Sequence, residues 1–215
     1  MNVSKLLISA AAALTLAACG SGNSSTTGSA TLPNVVSGDV VLGNADAPVT
    51  IIEYASVTCS HCAHFSEEVM PVVEERIEAG DVKFIFRGFP TAPVDIAMAG
   101  HAIAHCAGED RFYDVLHDLF SNQANIFQAA RTGTVGDALQ ATAARHGLDA
   151  AEFRACTRNQ ELYAQMSDVI RDAQNQGINT TPTIFINGER AGPDAQDPDG
   201  MNALIDAALG IETAE

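Results

Sequence analysis

Residues 49–56, VTIIEYAS, are apolar or β-branched on both faces of an extended chain, and only a central strand covered above and below can bury them. Glu53 interrupts this strand with a carboxylate. Just beyond lies Cys59-Ser60-His61-Cys62, then Phe65, Val69, Val72 and Ile77 at helical spacing. The cysteines therefore fall at a strand-to-helix turn, with Cys59 at the helix N-terminus and Pro71 expected to kink the helix. A second apolar run, VKFIFRGFP at 82–90, completes a right-handed strand-helix-strand unit with two parallel strands. A CxxC pair in that place is open to three readings: a redox couple, half of a metal site, or two buried thiols.

Residues 93–176 carry no convincing strand pattern. Helices are expected near 93–107, 110–121, 134–146, 149–157 and 160–175, the fourth opening with Asp149-Ala150-Ala151-Glu152, close to a capping box. Strand character returns in TPTIFINGE at 181–189, where Asn187-Gly188 signals a tight hairpin. A last helix is expected from about Asp199 to Leu209.

The N-terminus bears on the compartment. MNVSKLLISAAAALTLAACG has one early cation, Lys5, and an apolar stretch too short to span a bilayer comfortably, so residues 1–18 read as a signal peptide. Its end, LAAC, resembles the lipobox of bacterial lipoproteins, which implies cleavage before Cys19 and a lipid on that residue. Residues 19–37, nearly without apolar side chains from 20 to 34, are expected to form a flexible lipid-anchored linker. The expected location is periplasmic, held to a membrane through Cys19. With five cysteines in all, lipid on Cys19 leaves the close pair and the distant Cys106 and Cys156. Oxidised pairs persist outside the cytoplasm, so Cys106 and Cys156 are expected to form a structural disulfide. A formal net charge of −16, from 27 acidic and 11 basic side chains, argues against a nucleic-acid partner.

Strand, CxxC-headed helix, strand, helical segment, Thr-Pro strand, hairpin and final helix, in this order, resemble the DsbA-like thiol:disulfide oxidoreductases. The resemblance rests on CSHC at 59–62, Glu53 six positions before it, TPTIFING at 181–188 and the helical stretch between them. It covers about residues 38–210 and implies an α/β protein, a thioredoxin fold with an inserted α-helical domain. The thioredoxin-fold parts would be 38–92 and 177–215, and the insertion 93–176. It further implies that Cys59 is the nucleophile and Cys62 resolves the mixed disulfide. Glu53 would be a buried carboxyl that exchanges protons with Cys62, and Thr181-Pro182 a cis-proline element facing extended substrates. No cofactor is implied. The implied partners are cysteine-containing exported proteins and a membrane redox protein that reoxidises or reduces the pair, with the chain itself a monomer. The plain family pattern lacks the Cys106 and Cys156 pair and gives it no role.

A protonated His61 would favour the Cys59 thiolate, and the helix N-terminus would do so as well. His64, His101, His105, His117 and His146 are expected on helix surfaces, partly exposed. The competing function is a copper-binding or metallochaperone module built on the CxxC thiolates with His64. Covalent haem is disfavoured because Ala63 stands where CxxCH needs histidine, and zinc because no second close Cys or His pair is evident. Within the redox class, the favoured role is dithiol oxidase; a thiol reductase is the alternative.

Overall fold

The computed structural model describes residues 38–211. The expected signal peptide at 1–18, Cys19 and the 19–37 linker lie outside the described residues. The both-face apolar run forms β2, Val49–Ala55, and every one of its residues is buried. It pairs in parallel with β3, Val82–Gly88, on one side and antiparallel with β4, Thr183–Ile186, on the other. Two short edge strands, β1 at Val41–Gly43 and β5 at Glu189–Arg190, complete the order β1-β3-β2-β4-β5. The β4–β5 turn is Asn187-Gly188 with φ of 50° and 84°, the doubly left-handed geometry of a two-residue hairpin. Strand β1 has no counterpart in the sequence reading. Three residues are too few to show alternation, and pairing of Val41 with Ile85 is what makes them a strand.

Side chains alternate along β2, so Val49, Ile51, Glu53 and Ala55 share one face and Thr50, Ile52 and Tyr54 the other. The second face packs Ile52 and Tyr54 with Ile85, Phe185, Ala173 and Ile178. The first is covered by the helix after the cysteines, by a helix at Phe112–Ser121 and by the last helix, Pro198–Leu209. That helix has three parts: α1 at Ser60–His64, a π turn at Phe65–Val69, and α2 at Met70–Glu78. Pro71 has no N–H to continue the α ladder, and just ahead of it the Met70 N–H reaches back five residues to the Phe65 carbonyl. The expected kink thus takes the form of a widened turn.

Six helices lie between β3 and β4: α3 Val94–Cys106, α4 Phe112–Ser121, α5 Gln123–Thr132, α6 Val135–Arg145, α7 Ala150–Cys156 and α8 Gln160–Asn175. This is the thioredoxin fold with an inserted helical domain, closed by α9 at Pro198–Leu209. Asp149 and Glu152 form a full capping box on α7. Helix α5 was missed by sequence reading because Gln123–Thr132 buries only Gln123 and Ile126, too thin a stripe to register as a helical period. A disulfide joins Cys106 at the end of α3 to Cys156 at the end of α7, with Cα atoms 6.1 Å apart. At the start of the described chain, Arg87 holds Asp39 through a bidentate pair at 2.7 and 3.0 Å and donates to Tyr54 Oη at 2.8 Å.

Candidate active site

The turn between β2 and α1 is bound on every side. Ser56 Oγ accepts the Thr91 N–H at 3.0 Å, and Thr58 Oγ1 donates to the Thr91 carbonyl at 2.9 Å. The Cys59 N–H bonds the Ser56 carbonyl at 2.9 Å, which tightens the chain into the helix. Cys59 is the N-cap of α1, in extended conformation, a position that Ser, Asp or Asn usually fills because its side chain accepts from the second or third helical N–H. Here those N–H groups belong to His61 and Cys62.

Both cysteines are thiols in this structure, one partly exposed and one fully buried. The Cys62 thiol donates toward Cys59, the Thr181 hydroxyl assists, and the backbone N–H groups of Cys62 and His61 favour the anion, although no short cap bond to the neutral thiol forms. Against the opposing effect of burial, these donors bring the Cys59 pKa down to about 5. Cys59 is therefore a thiolate at neutral pH. Cys62 is pushed far in the other direction, first by burial and then because it gives its hydrogen bond to Cys59 and faces Glu53. One cysteine is held as an anion and the other as a thiol.

Glu53 lies at the centre of the sheet, paired with Phe86 on one side and Ile184 on the other, and is 2% exposed. Its Oε1 has no hydrogen-bond partner. Burial, with the Cys59 charge second, raises its pKa well above the ordinary carboxylate range. The carboxyl borders a cavity of about 40 Å³ that extends past Ser66 to the exposed Glu74 and His117. That volume has room for water beside the buried carboxyl.

Thr181-Pro182 is a cis peptide beside the cysteines, and the Thr181 carbonyl oxygen lies 3.4 Å from Cys59 Sγ. A second cis peptide, Ala92-Pro93, follows the Thr91 contact and was not expected. His61 reaches the sulfur through its backbone N–H, and its ring is exposed. His64 is also exposed. Among the described residues no three His, Cys, Asp or Glu side chains are grouped so as to hold a metal ion.

Two side chains at this turn were not picked out from sequence. His101, expected to be partly exposed, is 2% exposed and accepts the Val57 N–H on Nε2 at 3.3 Å. Gln123 donates to the carbonyls of Val57 at 2.9 Å and Cys59 at 3.1 Å. A histidine among Ile96, Ala97, Ala102, Ile103 and Ala104 was a signal for burial that could have been read, whereas Gln123 gave none.

A central strand, a CxxC pair capping the following helix, a carboxyl under the second cysteine and a Thr-Pro turn against the first define a thioredoxin-fold protein with a redox-type dithiol centre. The family model Thioredoxin_4, described as thioredoxin, matches residues 36–207. Disulfide bond formation protein D of Bacillus subtilis is 30% identical over 162 residues, 71% of this chain and 69% of that protein. A Rickettsia conorii protein named as a protein-disulfide oxidoreductase is 27% identical over 176 residues, 80% of this chain, and the match spans 60% of that relative's length. The crystal structure of Wolbachia pipientis alpha-DsbA1 superposes with a TM-score of 0.75 at 25% identity, covering 82% of this chain and 93% of that one. This chain belongs to the DsbA-like thiol:disulfide oxidoreductase family.

Proposed function

We propose that the protein is a periplasmic dithiol oxidase that passes the Cys59–Cys62 disulfide to cysteine-containing exported proteins. The observation that carries this reading is the opposed state of the two sulfurs: Cys59 partly exposed and held as an anion, Cys62 buried and held as a thiol above Glu53. In the oxidised enzyme, a substrate thiolate attacks Cys59 Sγ, forming a mixed disulfide and expelling Cys62 as a thiolate that takes up the Glu53 proton. A second substrate thiol, on losing its proton, attacks the substrate sulfur of that mixed disulfide. Cys59 leaves as a thiolate, the substrate gains a disulfide, and the enzyme has taken up two electrons. A membrane redox protein then accepts those electrons and restores the Cys59–Cys62 bond.

Direction follows from the leaving group. Whatever stabilises the Cys59 thiolate stabilises the reduced enzyme and makes its disulfide a stronger oxidant. Thr181 and Pro182 supply the substrate-facing edge. Once Cys59 has lost its proton, the Thr181 carbonyl no longer has a thiol to accept from and is open to an N–H of an extended substrate chain. In the same reading the protein acts as a monomer, tethered through lipid on Cys19, and needs no cofactor. Among the described residues no helix is long and apolar enough to cross a membrane.

The test is equilibration of the full chain with glutathione. A Cys59/Cys62 potential at or above about −200 mV supports the oxidase, and one near the thioredoxin value of about −270 mV makes the protein a reductase.

A further inference from the structure

Val57 connects the end of β2 to the cysteine turn, and both of its backbone polar groups are held by the inserted helices. His101 on α3 accepts its N–H through Nε2, and Gln123 on α5 donates to its carbonyl. The same Gln123 amide nitrogen also donates to the Cys59 carbonyl, which already accepts the Ala63 N–H at the start of α1. The contact leaves little freedom. A Cβ at Gly100 would stand 2.7 Å from the Val57 side chain, and one at Gly88 would stand 2.6 Å from His101 Nδ1, so α3 lies flush against the turn. The His101 ring is set edge-on against Phe86, with centroids 5.4 Å apart. Since Nε2 accepts, the ring proton sits on Nδ1, which is buried without a partner. Burial keeps the ring neutral down to about pH 3, so the acceptor is present at every working pH.

We propose that Gln123, seconded by His101, is a positioning residue for thiol-disulfide exchange: the inserted helical domain fixes the peptide planes of the cysteine turn so that the first N–H groups of α1 aim at Cys59 Sγ. The proposal rests on Cys59 being the exchanging cysteine. A carbonyl fixed by two donors cannot rotate, and the peptide plane it belongs to sets the direction of the helix start. Without Gln123, the Val57 carbonyl loses its side-chain partner and the Cys59 carbonyl keeps only the Ala63 bond. The turn then relaxes, and the donors swing away from the sulfur.

The test uses thiolate absorbance against pH in the reduced full chain. Gln123→Met removes the donor at nearly constant volume and is expected to raise the Cys59 midpoint by about half to one pH unit, with a matching three- to tenfold weakening as an oxidant of glutathione. Gln123→Leu removes the donor with another neutral side chain of similar size, moves the midpoint in the same direction, and carries the test if the methionine variant does not fold. Leu139→Ala on α6, buried in the same core without a hydrogen bond to the turn, is expected to lower the melting temperature and leave the midpoint in place. If Gln123→Met lowers the melting temperature as Leu139→Ala does yet leaves the midpoint at the wild-type value, the positioning role is overturned. A low-pH transition that persists in Cys59→Ser belongs to another group and overturns the exchange reading, and this proposal with it.

Discussion

The carbonyl oxygen of Thr181 lies 3.4 Å from the sulfur of Cys59, across 122 residues of chain. Strand pairing produces the contact. Because β2 and β4 run antiparallel with Tyr54 opposite Thr183, the end of one strand and the start of the other reach the same end of the sheet. The loop carrying the cysteines and the loop carrying Pro182 leave from that end together.

The two cysteines should fail differently. Cys59→Ser should abolish oxidation of a reduced, unfolded test protein, while Cys62→Ser should accumulate a mixed disulfide through Cys59. Non-reducing electrophoresis followed by peptide mapping reads both. Activity retained by Cys59→Ser would reverse the assignment.

Thiolate absorbance of the reduced protein should rise with a midpoint near pH 5. Since His61 acts through its backbone, His61→Ala should leave that midpoint nearly in place. His61→Pro, in the first helical turn where proline is tolerated, removes the N–H and should raise the midpoint by about one pH unit. Equal shifts in the two variants would assign the effect to the imidazole.

Glu53→Gln should separate stability from turnover. The folded-state pKa of Glu53 is raised, so its contribution to stability is intact below the unfolded carboxylate pKa, about 4.3, and is lost as pH climbs toward the folded value. Glutamine cannot ionise. Thermal melts of the disulfide form should show no gain for Glu53→Gln near pH 4 and a gain that grows through neutral pH. Turnover should fall about a hundredfold, because Cys62 loses its proton partner. A variant less stable than wild type at pH 7.5, with turnover intact, would contradict both halves.

The Cys106–Cys156 disulfide closes a loop of 50 residues. In the chain-entropy model it destabilises the unfolded state by about 4 kcal/mol, so Cys106→Ser with Cys156→Ser should lose stability of that order in denaturant titrations. The titration midpoint of Cys59 should not move. A loss below about 1 kcal/mol would mean that the helices hold their packing without the bond.

What the sequence determined by itself is local and periodic. A strand apolar on both faces could only be central, CxxC with helical spacing after it could only begin a helix, Asn187-Gly188 could only turn a hairpin, and Asp149 with Glu152 capped α7 as read. These signals depend on residues near one another in the chain, so they survive without a fold. Tertiary structure decided whatever depended on a partner far away. Strand β1 exists through Ile85, and helix α5 through the neighbours that cover Ile126 and Gln123. His101 is buried because α3 lies flush on the cysteine turn; its apolar neighbours in sequence pointed to burial, but only the fold set its ring nitrogen on the Val57 N–H. Gln123 is an ordinary amide in sequence and becomes part of the site only where folding places the Val57 and Cys59 carbonyls within 3.1 Å of its nitrogen. The sequence could pick out the two sulfurs, since CxxC is a local pattern; the groups around them had to be found in space, since a hydrogen bond is set by distance and direction.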